Sequence, residues 1–249
     1  MDKLNLDNFD WGWMNHLVMA KDNSGHIVHI KNDGTEIPIN EYHKQSMIKE
    51  IFEDKCYETF FEVERGDLVV DVGASLGPFT YSIIHKQPKH VFCFEPSEKE
   101  FKTLVKNLMG FPATTINKGI SNVNSIVDSN KLFGGENKME TITFKKFIDL
   151  YGIEKIDFLK TDCEGGEYDI FNDENFDYIL NNVKKISGEW HLNDPDLKNK
   201  FFKFRETYLS NFNNYSVNSV DGVDIKWELY HEGFIEYYNE VIINIDNRN

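Results

Sequence analysis

The chain has 249 residues, a length between one domain and two that is sufficient for one sizeable core. Hydrophobic residues at 40% and charged residues at 28% exclude a disordered or fibrous chain. Lys+Arg 27 against Asp+Glu 42 gives a net charge of −15, a field that repels a nucleic-acid backbone wherever no local basic patch overrides it.

Residues 1–60 read as an accessory segment. Two short apolar runs at 26–30 and 36–39 flank Asn32-Asp33-Gly34, which is a hairpin signal. Met47, Ile48, Ile51 and Phe52 follow at the spacing of one helix face. From Asp67 the pattern becomes strand–helix alternation. Leu68, Val69 and Val70 predict a buried parallel strand, 78–86 a helix and 90–94 a second strand. Ser97 with Glu100 three residues on is a capping box, and it opens a helix with Phe101, Leu104, Val105 and Leu108 on one face. A weaker strand is expected at 114–117, and short strands at 125–127 and 141–143 around Gly134-Gly135. A helix at 144–151, a strand at 156–159, a helix beginning at Glu167 and a strand at 185–188 continue the order. An aromatic-rich amphipathic helix at 197–209 precedes a tail with an Asp221-Gly222 turn and an antiparallel strand at 241–245. This order predicts an α/β protein, a mostly parallel sheet with helices on both faces and an antiparallel hairpin at the end, with residues 61–249 as one domain.

Cys56, Cys93 and Cys163 form no CxxC pair, so neither a zinc site nor a disulfide framework is expected. The acidic, aromatic N-terminus lacks a basic region followed by an apolar run, and no apolar run approaches ~20 residues. The expectation is a cytoplasmic protein with neither signal peptide nor membrane span.

Asp71-Val72-Gly73-Ala74-Ser75-Leu76-Gly77 lies between the first strand of the alternation and its helix. Gly73 and Gly77 permit a tight turn and close approach to a ligand. Their G-x-x-x-G spacing is not the dinucleotide fingerprint, and no P-loop lysine follows. An acid at the strand end, Asp71, suits a ligand with an amine, and Glu95 ends the second strand where a ribose diol is accepted. A carboxylate, an ammonium and a ribose in one ligand describe S-adenosylmethionine (SAM). The plainer alternative is a tight turn and a strand end.

The stretch from Asp71 to Thr80, then Phe94-Glu95-Pro96, then Leu159-Lys160-Thr161-Asp162-Cys163-Glu164-Gly165-Gly166-Glu167-Tyr168 resembles the FkbM family of SAM-dependent methyltransferases. The resemblance covers 63–190, with Ser75 where many members have Asn and Gly166 where many have Ala. It implies a Rossmann-like class I methyltransferase fold with a mostly parallel seven-stranded sheet. It also implies cofactor contacts at Asp71, Gly73, Ala74, Ser75, Gly77, Thr80, Glu95, Pro96, Gly119, Ile120 and Asp162. The associated acceptors are hydroxyls of sugars and natural products.

Asp162 and Glu164 follow the fourth strand of the alternation, at the carboxyl-end crevice of an open sheet. Alternation along an extended chain is expected to turn both toward the pocket. Methyl transfer to a hydroxyl needs alignment and proton removal. The candidate catalytic residues are therefore Glu164, Asp162 and His191. Glu189 and His191 also offer, with Asp162, ligands to Mg²⁺, but two carboxylates and an imidazole do not specify a metal. Glu167 and Asp169 read as a solvated first helical turn. Phe9, Trp11, Trp13, Trp227, Tyr230, Tyr237 and Tyr238 read as packing or oligomer contacts, with stacking on a sugar as the alternative. The expected partner is a small-molecule or glycan acceptor. A nucleotide-dependent oxidoreductase and a non-catalytic SAM-binding module remain as alternatives.

Overall fold

Why the chain folds around a crevice is visible in the order of its strands. The computed structural model describes residues 6–15, 28–30, 36–128, 138–231 and 233–248. Strands β1 (Val28–Ile30) and β2 (Glu36–Pro38) pair antiparallel with His29 opposite Ile37, as the hairpin signal predicts. The Asn32-Asp33-Gly34 turn, residues 26–27 and Gly134-Gly135 lie outside the described residues. Helix α1 (Ile39–Met47) runs on into a π-helical stretch, Ile48–Glu53.

The alternation then comprises β3 (Leu68–Val72), α2 (Pro78–Ile83), β4 (His90–Phe94), α3 (Glu98–Asn107) and β5 (Ala113–Ile116). A small side sheet follows, formed by β6 (Gly119–Ile120), β7 (Ile126–Asp128) and β8 (Lys138–Ile142) in the order β6-β8-β7. Helix α4 (Phe144–Tyr151), strand β9 (Ile156–Thr161), helices α5 (Glu167–Ile170) and α6 (Phe176–Asn182) and strand β10 (Val183–His191) complete the parallel part. The last elements are α7 (Pro195–Lys203), β11 (Tyr215–Asn218), α8 (Phe234–Tyr237) and β12 (Glu240–Asp246).

The main sheet has seven strands in the order β11-β12-β10-β9-β3-β4-β5. Strands β3, β4, β5, β9 and β10 are mutually parallel, and β12 lies antiparallel to both of its neighbours. The chain winds outward from β3 to β5, then returns to place β9 on the other side of β3. That reversal opens a crevice at the carboxyl ends of β3 and β9. Both faces of the sheet are covered, which is why its strands are continuous apolar runs. Val70, Val72, Phe92 and Leu159 pack under Phe147 of α4, Ile170 of α5 and Phe201 of α7. Val69, Val91 and Phe158 pack on the other face against Phe79, Leu104 and two residues from the preceding segment, Tyr57 and Phe61.

Three local readings change. Strand β10 ends at His191, where Glu189, Trp190 and His191 close the fifth strand of the alternation and His191 lies opposite Glu240, but it starts at Val183 rather than 185, because Val183 already pairs with Ile156 of β9. The Ser97 hydroxyl accepts the Glu100 N–H at 3.4 Å, but the Ser97 N–H goes to Glu95 Oε1 at 2.7 Å, so half of the capping box is replaced. Strand β11, which supplies the partner of β12, escapes a pattern reading because Val217 is its one strongly apolar residue.

Candidate active site

The loop after β3 is tied to its neighbours on both sides. The Gly73 and Ala74 N–H groups donate to Phe94 O at 3.1 and 2.8 Å, hanging the loop from the end of β4. Gly73 has φ +77, and a Cβ there would lie 1.7 Å from the Asp162 carbonyl oxygen. The missing side chain therefore serves the crossing of β3 and β9 as well as any ligand. Gly73→Ala should cost more than about 2 kcal/mol from left-handed strain plus the clash, read as a lower urea midpoint. A variant as stable as the parent would show that the crossing tolerates a methyl group.

Ser75 holds a left-handed backbone, φ 48, unusual for a non-glycine residue. Its N–H donates to Glu95 Oε2 at 2.8 Å, so the Glu95 carboxylate bridges the loop and the start of α3. Glu95 is buried, and burial with Glu100 beside it pushes the carboxyl up to about 8. Each Glu95 oxygen keeps a further lone pair. Gly119 sits against Pro96, where an added Cβ would be 3.6 Å from Pro96 Cβ, and the Ile120 carbonyl borders Gly166. Glu95, Pro96, Gly119 and Ile120 thus gather beside the loop.

Asp71 takes a different place from the one its position suggests. It is fully buried and is the register partner of Lys160 on β9. Thr80 Oγ1 donates to Asp71 Oδ2 at 2.8 Å, and Lys160 Nζ lies 3.3 Å from Oδ1. Both oxygens face partners beneath the loop, so the expected amine contact is not presented to the crevice. Lys160 also donates to Gly73 O at 2.8 Å and faces Asp162 Oδ2 at 3.7 Å. Against the cost of burial, the Asp71 and Asp162 carboxylates hold the Lys160 ammonium above its ordinary range. Asp162 is the half-buried acid that reaches the cleft, and it accepts the Tyr57 hydroxyl at 2.8 Å. Tyr57 comes from the segment read as accessory, and no motif marks it.

Strand β9 ends at Thr161, so alternation does not carry Glu164 into the pocket. A left-handed backbone at Glu164, φ 56, turns the chain instead. Its exposed side chain comes to 3.6 Å from His191 Nε2. Glu189 Oε1 lies at the same distance from that nitrogen. Glu167, expected in solvent, is fully buried. Its Oε1 accepts the Cys163 N–H at 2.9 Å and lies 3.1 Å from His191 Nδ1. Against burial, Glu167 and the other carboxylates raise His191 to about 10. Burial and the facing Asp162 push Glu189 up to about 9. The surrounding carboxylates thus favour the charged form of the imidazole over the neutral one. Phe9 and Trp11 are buried with Met14 and Leu76, which is the packing reading of the early aromatics.

A seven-stranded sheet with this order, a glycine loop after β3 and an acid at the end of β4 define the Rossmann-like class I methyltransferase fold. The chain belongs to the FkbM methyltransferase family: the model of the methyltransferase FkbM domain matches residues 71–217. The family's cofactor is SAM, and the oxidoreductase alternative falls with that membership. Among solved structures, an rRNA methylase from Streptococcus thermophilus is 12% identical, with 84% of this chain and 96% of that one covered and a TM-score of 0.45. The Methanococcus jannaschii fibrillarin pre-rRNA processing protein is 13% identical, with 76% and 71% covered and a TM-score of 0.45. SMU.1697c of Streptococcus mutans, solved in complex with SAH, is 10% identical, with 74% and 90% covered and a TM-score of 0.45. At these identities nothing about an acceptor passes to this chain. No curated protein matches it. No helix of the described residues is long and apolar enough to cross a membrane.

Proposed function

We propose that this methyltransferase O-methylates a hydroxyl of a sugar, a glycan or a related polyhydroxylated small molecule. The observation that carries this reading is the exposed Glu164 carboxylate just past the end of β9, 3.6 Å from His191 at the end of β10. Two residues beyond His191 begins the lining of a cavity of about 640 Å³, which includes Asn193, Asp194, Asn199, Phe202, Tyr230 and Asn239. Its amides and aromatic faces suit the hydroxyls and C–H faces of a sugar, and Lys198 and Arg205 stand beside Asp194 and Glu236 in the same lining. The net charge of −15 opposes a nucleic-acid acceptor.

When bound, SAM supplies a methyl group on a sulfonium whose positive charge is lost on transfer. In this reading Glu95 would accept the ribose hydroxyls, and the 73–77 loop with Gly119–Ile120 would border the adenosine. Glu164 would take the proton that the acceptor hydroxyl loses on methylation. Tyr57 and Lys160 hold the Asp162 carboxylate in place.

Transfer from radiolabelled SAM to a panel of mono- and oligosaccharides tests the acceptor class. Label is expected in an alkali-stable ether on one hydroxyl. SAM binding without transfer to any hydroxyl acceptor would instead mark a binding module.

At pH 9, where the Glu95 carboxyl is ionised, Glu95→Ala should weaken SAM binding by ~1.5–3 kcal/mol through loss of charge-assisted hydrogen bonds, measured by calorimetry. Unchanged affinity would remove Glu95 from the cofactor site. The same carboxyl gives a pH signature. Its folded value, about 8, lies above the unfolded one, so the unfolded chain releases the proton first. Without SAM, stability should fall as pH rises between the two values, at most about 1.4 kcal/mol per pH unit. Urea midpoints at pH 5 and pH 8 should converge in Glu95→Gln relative to the parent.

A further inference from the structure

Asp162, Glu189 and His191 each present a ligand atom, all within 4.8 Å of one another. Glu189 and His191 lie two residues apart on β10 and so share a face, and Asp162 leaves the neighbouring strand β9. The imidazole is the most informative member. His191 is 3% exposed, and its Nδ1 is taken by Glu167, itself immobilised by the Cys163 N–H. Its Nε2 is thereby aimed at the carboxylates. Yet the carboxylate oxygens paired with it, on Glu164 and Glu189, stand 3.6 Å away, longer than a hydrogen bond. Among the described residues this nitrogen has these two ion-pair contacts and no hydrogen bond.

That spacing is close to what a shared cation imposes. Two ligands each ~2.1 Å from a metal are ~3.0 Å apart at a right angle and ~3.4 Å at a tetrahedral one. A buried carboxylate on the far ring nitrogen is also the arrangement that orients a metal-bound histidine. The charges agree. Glu164 stands 3.6 Å from the same imidazole and Glu240 is the register partner of His191, so further acids surround the group, while the nearby Lys160 is already paired with Asp71.

We propose that Asp162, Glu189 and His191 bind a divalent cation, and that it sits at the mouth of the acceptor cleft. Two hard carboxylates, one imidazole and no thiolate select a cation of the Mn²⁺ type, with positions left for water and an acceptor oxygen. Its use rests on the O-methylation reading: the cation would bind the acceptor hydroxyl and ease loss of its proton to Glu164. His191 is then a ligand and Glu164 the base. The binding itself does not depend on that reading.

The test is titration of the full chain with Mn²⁺ alone, without SAM or acceptor, by calorimetry. One Mn²⁺ per chain is expected, with affinity at least tenfold weaker in both Glu189→Gln and Asp162→Asn. Affinity should be unchanged in Glu98→Gln, an exposed acid on α3 paired with Lys102. In the unmodified chain Mn²⁺ should broaden the imidazole NMR signals of His191 before those of the other histidines, a readout that needs no variant to fold. Absence of stoichiometric binding, affinity unchanged in both variants, or broadening that spares His191 would each overturn the site. Cation binding without transfer to any hydroxyl would overturn the acceptor reading and leave the site standing. Transfer without cation binding would do the reverse.

Discussion

Glu164→Gln is expected to slow methyl transfer by ~10²–10⁴ while leaving SAM affinity nearly unchanged, the range for loss of a general base. The substitution keeps size and hydrogen bonding and removes proton affinity. Glu164 suits the role because it alone combines exposure with a place beside the buried acid–imidazole group. Its side chain is 57% exposed, against 4% for His191 and 0% for Glu167. Its left-handed backbone supports the same reading, since strain of this kind persists where surrounding structure imposes it. Single-turnover rates with a competent acceptor, alongside calorimetric SAM affinities, separate the chemical step from binding. A large loss in His191→Ala with little loss in Glu164→Gln would move the base to His191. If neither variant slows transfer, alignment of the reactants carries the rate.

Lys160→Met is expected to be the most destabilising of the site variants, by about 3–5 kcal/mol, because it leaves a buried carboxylate without its counter-charge. Asp71 is fully buried, and after the substitution the Thr80 hydroxyl would be its remaining side-chain donor. The change also removes the donor to Gly73 O, so the loop and the end of β9 loosen together. Urea unfolding should show a lower midpoint with an unchanged slope. Adding Asp71→Asn should recover part of the loss, since removing both charges costs less than stranding one. A single variant as stable as the parent, or a double variant with no recovery, would mean the pair contributes little.

Much of the architecture was legible because it rests on local signals. Apolar runs at 68–70, 90–94 and 156–159 can be buried on both sides only in a sheet covered on both faces, and the structure covers both. Thr143 caps α4, and Gly152 ends it in a left-handed turn, so 144–151 needs no tertiary context to be read as a helix. The glycine loop, Glu95 and the acidic block after β9 were legible as chemistry because residue type and strand-end position together narrow what can bind there.

What the chain order could not settle is which polar groups face the crevice and which lie beneath it. Asp71 and Asp162 are both acids at strand ends. The register of β3 against β9 sets Asp71 opposite Lys160 and buries it, while Asp162 remains half-buried at the cleft. Glu167 has the helix-start position of a solvated acid, yet the length of β10 brings His191 over it and removes it from water. Tyr57 is unmarked in sequence and reaches Asp162 across 105 positions. The sequence by itself determined the strand–helix alternation, the loop and the family, because those follow from propensity, periodicity and the spacing of neighbouring residues. Only the tertiary structure decided the ion pairs, the orientation of His191 and the burial of each acid. Those depend on strand register and on contacts between distant segments, and a one-residue change in register turns a side chain to the other face.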